Sequence, residues 1–151
     1  MEENYRVILV HRDRYLVRKE AEELYCVLTG SLRYRDEYPV VGDYVEITEN
    51  PYGDSLIREI LPRRTVFYRP DRGGHADGFA KNLQVQPLVA NIDYVFIITS
   101  LNHDFSLNRI ARYASMAAAG GAVPVAVLTK ADQCPNVEEM EAKTAELSKQ
   151  L

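Results

Sequence analysis

Short apolar-rich runs, broken by polar residues, fill the first part of the chain. Residues 5–11 (YRVILVH), 14–19 (RYLVRK), 24–34 (LYCVLTGSLRY), 43–47 (DYVEI) and 55–61 (SLIREIL) are rich in Val, Ile, Leu and Tyr and are separated by polar or Gly/Pro punctuation. They predict five strands. An open sheet this small would leave its edges bare, so the pattern points to closure into a small barrel of the OB type over residues 1–69. The phrase Pro39-Val40-Val41-Gly42-Asp43-Tyr44-Val45 puts a glycine turn immediately before one of the strands.

Punctuation dominates from 70 to 82 (PDRGGHADGFAKN), with three Gly, one Pro and four charges and no period, which predicts a linker over 70–87. The character of the chain changes across it: eight of the ten tyrosines stand at or before position 68. Beyond it, residues 92–100 (IDYVFIITS) predict an apolar strand. Leu107, Ile110, Ala111, Ala114, Ala117 and Ala118 then follow helical spacing, with Asp104 or Ser106 as N-cap and Gly120-Gly121 as the stop. Residues 123–128 (VPVAVL) predict a second, buried strand. Asn136 with Glu139 forms a capping-box pattern ahead of an amphipathic helix marked by Val137, Met140, Thr144, Leu147 and Leu151. Strand, helix, strand is the signature of two parallel neighbours joined by a crossover. Two such strands leave open edges and a bare apolar face. Residues 88–151 are therefore expected to be the first part of an α/β domain whose further units lie beyond Leu151; the competing expectation is a two-domain miniature whose last helix packs back on the barrel.

Composition narrows the function classes. With 46% hydrophobic and 26% charged residues the chain is globular, and no apolar run approaches the roughly 18 to 20 residues that span a bilayer. Met1-Glu2-Glu3-Asn4 lacks the basic-then-apolar order of a secretory signal, and two widely spaced cysteines give neither a zinc motif nor a disulfide framework. A reduced, cytoplasmic protein with no membrane association is expected, with Cys26 as a small core residue and Cys134 as a loop thiol. His11, His75 and His103 stand singly and suggest no metal site or general base. Net charge is −4, against bulk attraction to nucleic acid, yet Arg58, Arg63, Arg64, Arg69 and Arg72 face only Glu59 and Asp71, a local excess of +3.

Chemistry concentrates at Thr129-Lys130-Ala131-Asp132, at the end of the second predicted parallel strand, where open α/β sheets bind ligands. A guanine edge offers two donors, N1–H and the 2-amino group, which one carboxylate can accept together. Asp132 has that chemistry, and adenine lacks the donor pair. Lys130 can lay its methylenes over the base, and Thr129 can hold the turn through its hydroxyl. The flanking strand and capped helix favour a nucleotide loop over a merely solvated turn.

With the run Leu88 to Leu101, the segment Asp104-Phe105-Ser106-Leu107, the phrase Val125 to Asp132 and the barrel phrases Pro39 to Val45 and Ile60 to Thr65, the chain resembles the ribosome small-subunit-dependent GTPases, which are circularly permuted. Thr129 stands where many members carry Asn. The resemblance implies an OB domain, then a GTPase domain whose base-reading loop precedes its phosphate loop, then a zinc-binding domain. No GxxxxGK[ST] run exists in these residues, as that order requires. It further implies GTP with Mg²⁺ as the working nucleotide, zinc held outside this chain, and hydrolysis stimulated by the small ribosomal subunit during its late maturation. No catalytic residue falls within the chain, which is expected to be inactive alone and monomeric. The barrel is expected to meet ribosomal RNA through Arg33, Tyr34, Arg35, Arg63, Arg64 and Arg69. The rival expectation is a stand-alone OB-type RNA-binding module whose α/β tail holds no nucleotide.

Overall fold

A computed structural model describes residues 4–68 and 86–149 and divides the chain into two compact units, Met1–Asn91 and Ile92–Leu151. In the first, β1 (Tyr5–Val10), β2 (Tyr15–Lys19), β3 (Glu22–Leu28), β4 (Tyr44–Thr48) and β5 (Ser55–Ile60) close into an OB-like barrel in the order β1-β2-β3-β5-β4. Closure comes from the antiparallel pairing of β1 with β4, Tyr5 opposite Val45, while β3 and β5 run parallel, with Cys26 opposite Ser55. The strand period of two sends Val7, Val17, Cys26, Val45 and Ile57 inward, where each is fully buried or nearly so. Tyr5 joins them and donates its hydroxyl to Glu22 Oε2 at 2.6 Å.

One expected strand is cut short. Instead of running to residue 34, β3 ends at Leu28, and a short helix, α1 (Gly30–Tyr34), follows an extended Thr29. Gly30 and Ser31 are poor strand formers, and the helical turn carries Leu32 into the barrel core, fully buried, while Arg33 and Tyr34 stay outside.

A second hairpin was not legible in the pattern. β6 (Val66–Tyr68) pairs antiparallel with β7 (Pro87–Ala90), Val66 opposite Ala90, and Val41 bridges to Val89. Gly42 makes this fit possible: its φ is +93°, and a Cβ there would lie 1.9 Å from the Ala90 carbonyl oxygen. Asn91, also in the left-handed region at φ 52°, closes the arrangement. Its N–H donates to Thr65 O at 2.8 Å, its Nδ2 donates to Gly42 O at 3.0 Å, its Oδ1 accepts from the Arg64 N–H at 2.8 Å, and its carbonyl accepts from Arg6 Nη2 at 2.8 Å. Apart from residues 86 and 87, the expected linker over 70–87 lies outside the described residues.

In the second unit β8 (Tyr94–Ser100) and β9 (Val123–Thr129) are parallel and in register from Tyr94 opposite Val123 to Ser100 opposite Thr129. Between them α2 (Leu107–Ala119) starts at Ser106, whose Oγ accepts from the Arg109 N–H at 3.3 Å, and stops at Gly120. Ile110, Ala114 and Ala117 face inward as the spacing predicts, whereas Ala118 is exposed. α3 (Val137–Ser148) sends Leu147 against the cluster built by Ile97, Ile110 and Ala114. Two expectations change here. Asn136 forms no side-chain cap, because its φ of −126° and ψ of 51° leave the geometry of a capping box. No residue of β9 is fully buried, since helices cover one face only; on the other, Tyr94, Phe96 and Ile98 of β8 are exposed.

Candidate functional site

Thr129 is the last residue of β9, and the sequence-predicted tetrapeptide turns out of the sheet at its carboxyl end. Thr129 fastens the turn to β8 twice: its Oγ1 donates to Thr99 O at 3.3 Å and its carbonyl accepts from the Leu101 N–H at 2.9 Å. Lys130 then adopts φ 57° and ψ 40°, a conformation a lysine reaches only at a cost of about 1 kcal/mol or more. Residues Ala131–Gln133 follow as a 3₁₀ turn, closed by the Gln133 N–H on Lys130 O at 3.0 Å and the Cys134 N–H on Ala131 O at 3.1 Å. Lys130, Ala131 and Asp132 are exposed, and the Asp132 carboxylate has no hydrogen bond or ion pair among the described residues. The arrangement presents an acceptor pair and an aliphatic chain on a turn held by its own hydrogen bonds and by Thr99.

Beside it runs the β8–α2 connection. Asn102 Oδ1 accepts from Ser100 Oγ at 2.8 Å and from the Asp104 N–H at 3.1 Å, and Asp104 holds Arg109 through both oxygens at 2.9 Å. Hydrogen bonding to Arg109, its charge, and the charge of Lys130 hold the Asp104 carboxyl below the usual carboxylate range. Thus two connections, one carrying Asp104 and the other Lys130, share one electrostatic environment at the strand ends.

On the barrel, the arginines expected to meet RNA divide into different situations. Arg33 and Tyr34 stand exposed on α1, Tyr34 almost completely so at 93%, and the Arg33 guanidinium forms no hydrogen bond or ion pair among the described residues. Arg35 is shared between Glu59 at 3.2 Å and Glu37 at 3.6 Å. Arg63 is held by Asp43, which has no exposed surface, and that pairing keeps its guanidinium charged above the ordinary arginine range. The Arg64 side chain is exposed while its N–H is given to Asn91. Arg69 lies outside the described residues.

A second barrel surface escaped sequence reasoning. Arg14, in the β1–β2 loop, stacks over Tyr25 of β3 at 4.3 Å from the ring centre and bonds Asp54 Oδ1, in the β4–β5 loop, at 2.6 Å. That second loop is itself fixed. Asn50 Oδ1 accepts from the Tyr52 N–H at 3.1 Å and Asn50 Nδ2 donates to Asp54 O at 3.3 Å, which leaves Tyr52 96% exposed at the tip. In OB barrels these two loops flank the face that stacks bases. The run Asn50-Pro51-Tyr52-Gly53-Asp54 is a readable turn signal for Tyr52; the approach of Arg14 to Tyr25 is not readable, because it depends on β2–β3 register.

Among the described residues no group of three His, Cys, Asp or Glu could hold a metal ion, and no helix is long and apolar enough to cross a membrane.

Comparison with known proteins bears on both units. The family model described as RsgA GTPase matches residues 60–150. The small ribosomal subunit biogenesis GTPase RsgA 1 of Listeria monocytogenes is 42% identical over 130 residues, covering 84% of this chain and 34% of that protein. RsgA 2 of Lactiplantibacillus plantarum is 35% identical over 147 residues, covering 95% of this chain and 40% of that protein. Among solved structures, YjeQ from Thermotoga maritima superposes with a TM-score of 0.67 at 22% identity, covering 95% of this chain and 46% of that one. YloQ, described as a circularly permuted GTPase, gives 0.65 at 21%, covering 97% and 46%. These two establish likeness of fold. The chain spans 34% and 40% of the length of the two curated relatives.

Proposed function

Because the chain belongs to the RsgA GTPase family, we propose that it supplies the base-reading loop and the RNA-docking barrel of a cytoplasmic GTPase acting in late maturation of the small ribosomal subunit. The observation that carries the reading is the Lys130 turn at the carboxyl end of β9, which leaves both oxygens of Asp132 open for the N1–H and 2-amino donors of guanine. Lys130 lies along the base, and Thr129 holds the turn to β8 through Thr99. An adenine in the same place would leave a desolvated carboxylate without donors, at a cost of about 2 kcal/mol or more.

Phosphate chemistry belongs to residues outside this chain, which contains no GxxxxGK[ST] run. A phosphate loop and Mg²⁺ would neutralise the transferring phosphoryl group. Without a phosphate-loop run, the chain on its own is expected to bind GTP weakly and not to hydrolyse it. Zinc, in this reading, is likewise held elsewhere in the full-length protein. The barrel meets ribosomal RNA through Arg33, Tyr34 and Arg64, with Arg14, Tyr25 and Tyr52 as a stacking face.

The test is nucleotide binding by the full-length protein. GDP is expected to bind at least a hundredfold more tightly than ADP, and Asp132→Asn is expected to abolish that preference with the fold intact by circular dichroism. Equal affinity for GDP and ADP in the native protein would favour the stand-alone RNA-binding module instead.

A further inference from the structure

Between the α1–β4 connection, the end of β5 and the start of β7 lies an open trough of about 780 Å³. Its apolar lining is made by Val40, Ile60, Leu61 and Pro87, with the half-exposed Tyr38 also in the lining. The charges around it do not balance. Arg63, also in the lining, is neutralised by Asp43 at 2.7 Å. Arg35 is divided between Glu37 and Glu59. Asp36, on the rim, has no ion pair or hydrogen bond from its side chain among the described residues. Of the charged residues lining the trough, Asp36 and Glu37 are carboxylates and the one guanidinium, Arg63, is already matched by the buried Asp43, in a trough whose walls suit methylene groups.

From this chemistry we infer that the trough is a docking site for an extended Lys- or Arg-rich peptide segment. An aliphatic stem lies on Val40, Ile60 and Leu61, its cation meets Asp36 and Glu37, and the Tyr38 ring offers a cation–π face. RNA fits this trough poorly, because its phosphates would approach two carboxylates that no arginine fully neutralises. The inference adds a protein-binding site to the RNA and nucleotide roles argued above and does not require either.

Full-length protein is titrated with a fluorescein-labelled peptide of alternating Lys and Ala, and separately with a labelled oligouridylate. Asp36→Asn combined with Glu37→Gln is expected to weaken the peptide about tenfold, and Tyr38→Ala about threefold, with oligouridylate affinity unchanged or improved. Glu46→Gln, on the outer face of β4, removes a carboxylate from the same barrel and is expected to leave peptide binding as it was. All variants should keep the native melting temperature, since these side chains are exposed. Failure of the native protein to bind the peptide overturns the inference, as does equal loss from Glu46→Gln, which would mean diffuse attraction to an acidic protein. Loss of oligouridylate binding in the Asp36/Glu37 variant would assign the trough to RNA instead.

Discussion

Asp43 holds Arg63 through both carboxylate oxygens, at 2.7 Å to Nε and 2.7 Å to Nη2, and has no surface exposed to water. A second role fixes it further, since Oδ2 also accepts from the Val40 N–H at 2.8 Å. The carboxylate is thus satisfied from the guanidinium and from the backbone, which is what burial of a charge requires. Arg63→Ala is expected to lower stability by about 3 to 5 kcal/mol, because it strands the buried charge, while Asp43→Asn with Arg63→Met is expected to cost much less. Urea unfolding of the single and double variants measures the difference.

Gly42→Ala is expected to destabilise the barrel by about 3 kcal/mol or more. The added methyl would meet the Ala90 carbonyl oxygen at 1.9 Å, and the positive φ adds its own strain. A lowered midpoint in thermal unfolding checks it, with Gly30→Ala as the control, since nothing lies within 4 Å of that added Cβ.

Cys26 and Cys134 should separate by reactivity. Cys26 is fully buried, and burial pushes its thiol up to about 11, while Cys134 is partly exposed. An aromatic disulfide reagent at neutral pH is expected to titrate one thiol in the native chain and two in denaturant. The raised value also fixes a sign. Cys26 keeps its proton in the fold at a pH where the unfolded thiol, near 9, has already lost it, so its contribution to stability is complete below pH 9 and disappears as pH climbs to about 11. Cys26→Ala should flatten that limb of the stability curve.

The two proposed RNA surfaces should differ in salt dependence. Neutralising Arg33 is expected to reduce the slope of log affinity against log salt by about 0.7 for a single strand, the mark of one lost phosphate contact. Tyr52→Ala is expected to weaken an oligouridylate by about 1 to 3 kcal/mol with the slope unchanged, the mark of lost stacking. Unchanged affinity in the Tyr52 variant would remove the loop face from the proposal.

How far the sequence could be read depended on the range of the interactions involved. The barrel strands announced themselves as short apolar runs with Cys26 among their core residues, and Ile110, Ala114 and Ala117 by helical spacing, because these are local properties of the backbone. The tetrapeptide at 129–132 was legible for the same reason, as a short motif between two regular elements. What failed depended on distant partners. Leu32 reads as a continuing strand residue until the barrel end is there to receive it. Residue 87 reads as the end of the linker and 88–90 as the start of the α/β domain, and nothing nearby marks their pairing with residues 66–68. Arg63 reads as part of a basic cluster because its partner lies 20 positions earlier.

Asn91 carries a practical lesson for anyone dissecting the protein. A barrel excised at its fifth or sixth strand would lose the residue that receives the Arg6 guanidinium and occupies the Gly42 carbonyl and the Arg64 amide. Those groups would be released to solvent or left wanting, and the turn at Gly42 would lose the strand it was shaped to admit. The smallest excised piece that keeps its own seams closed therefore has its cut placed after Asn91.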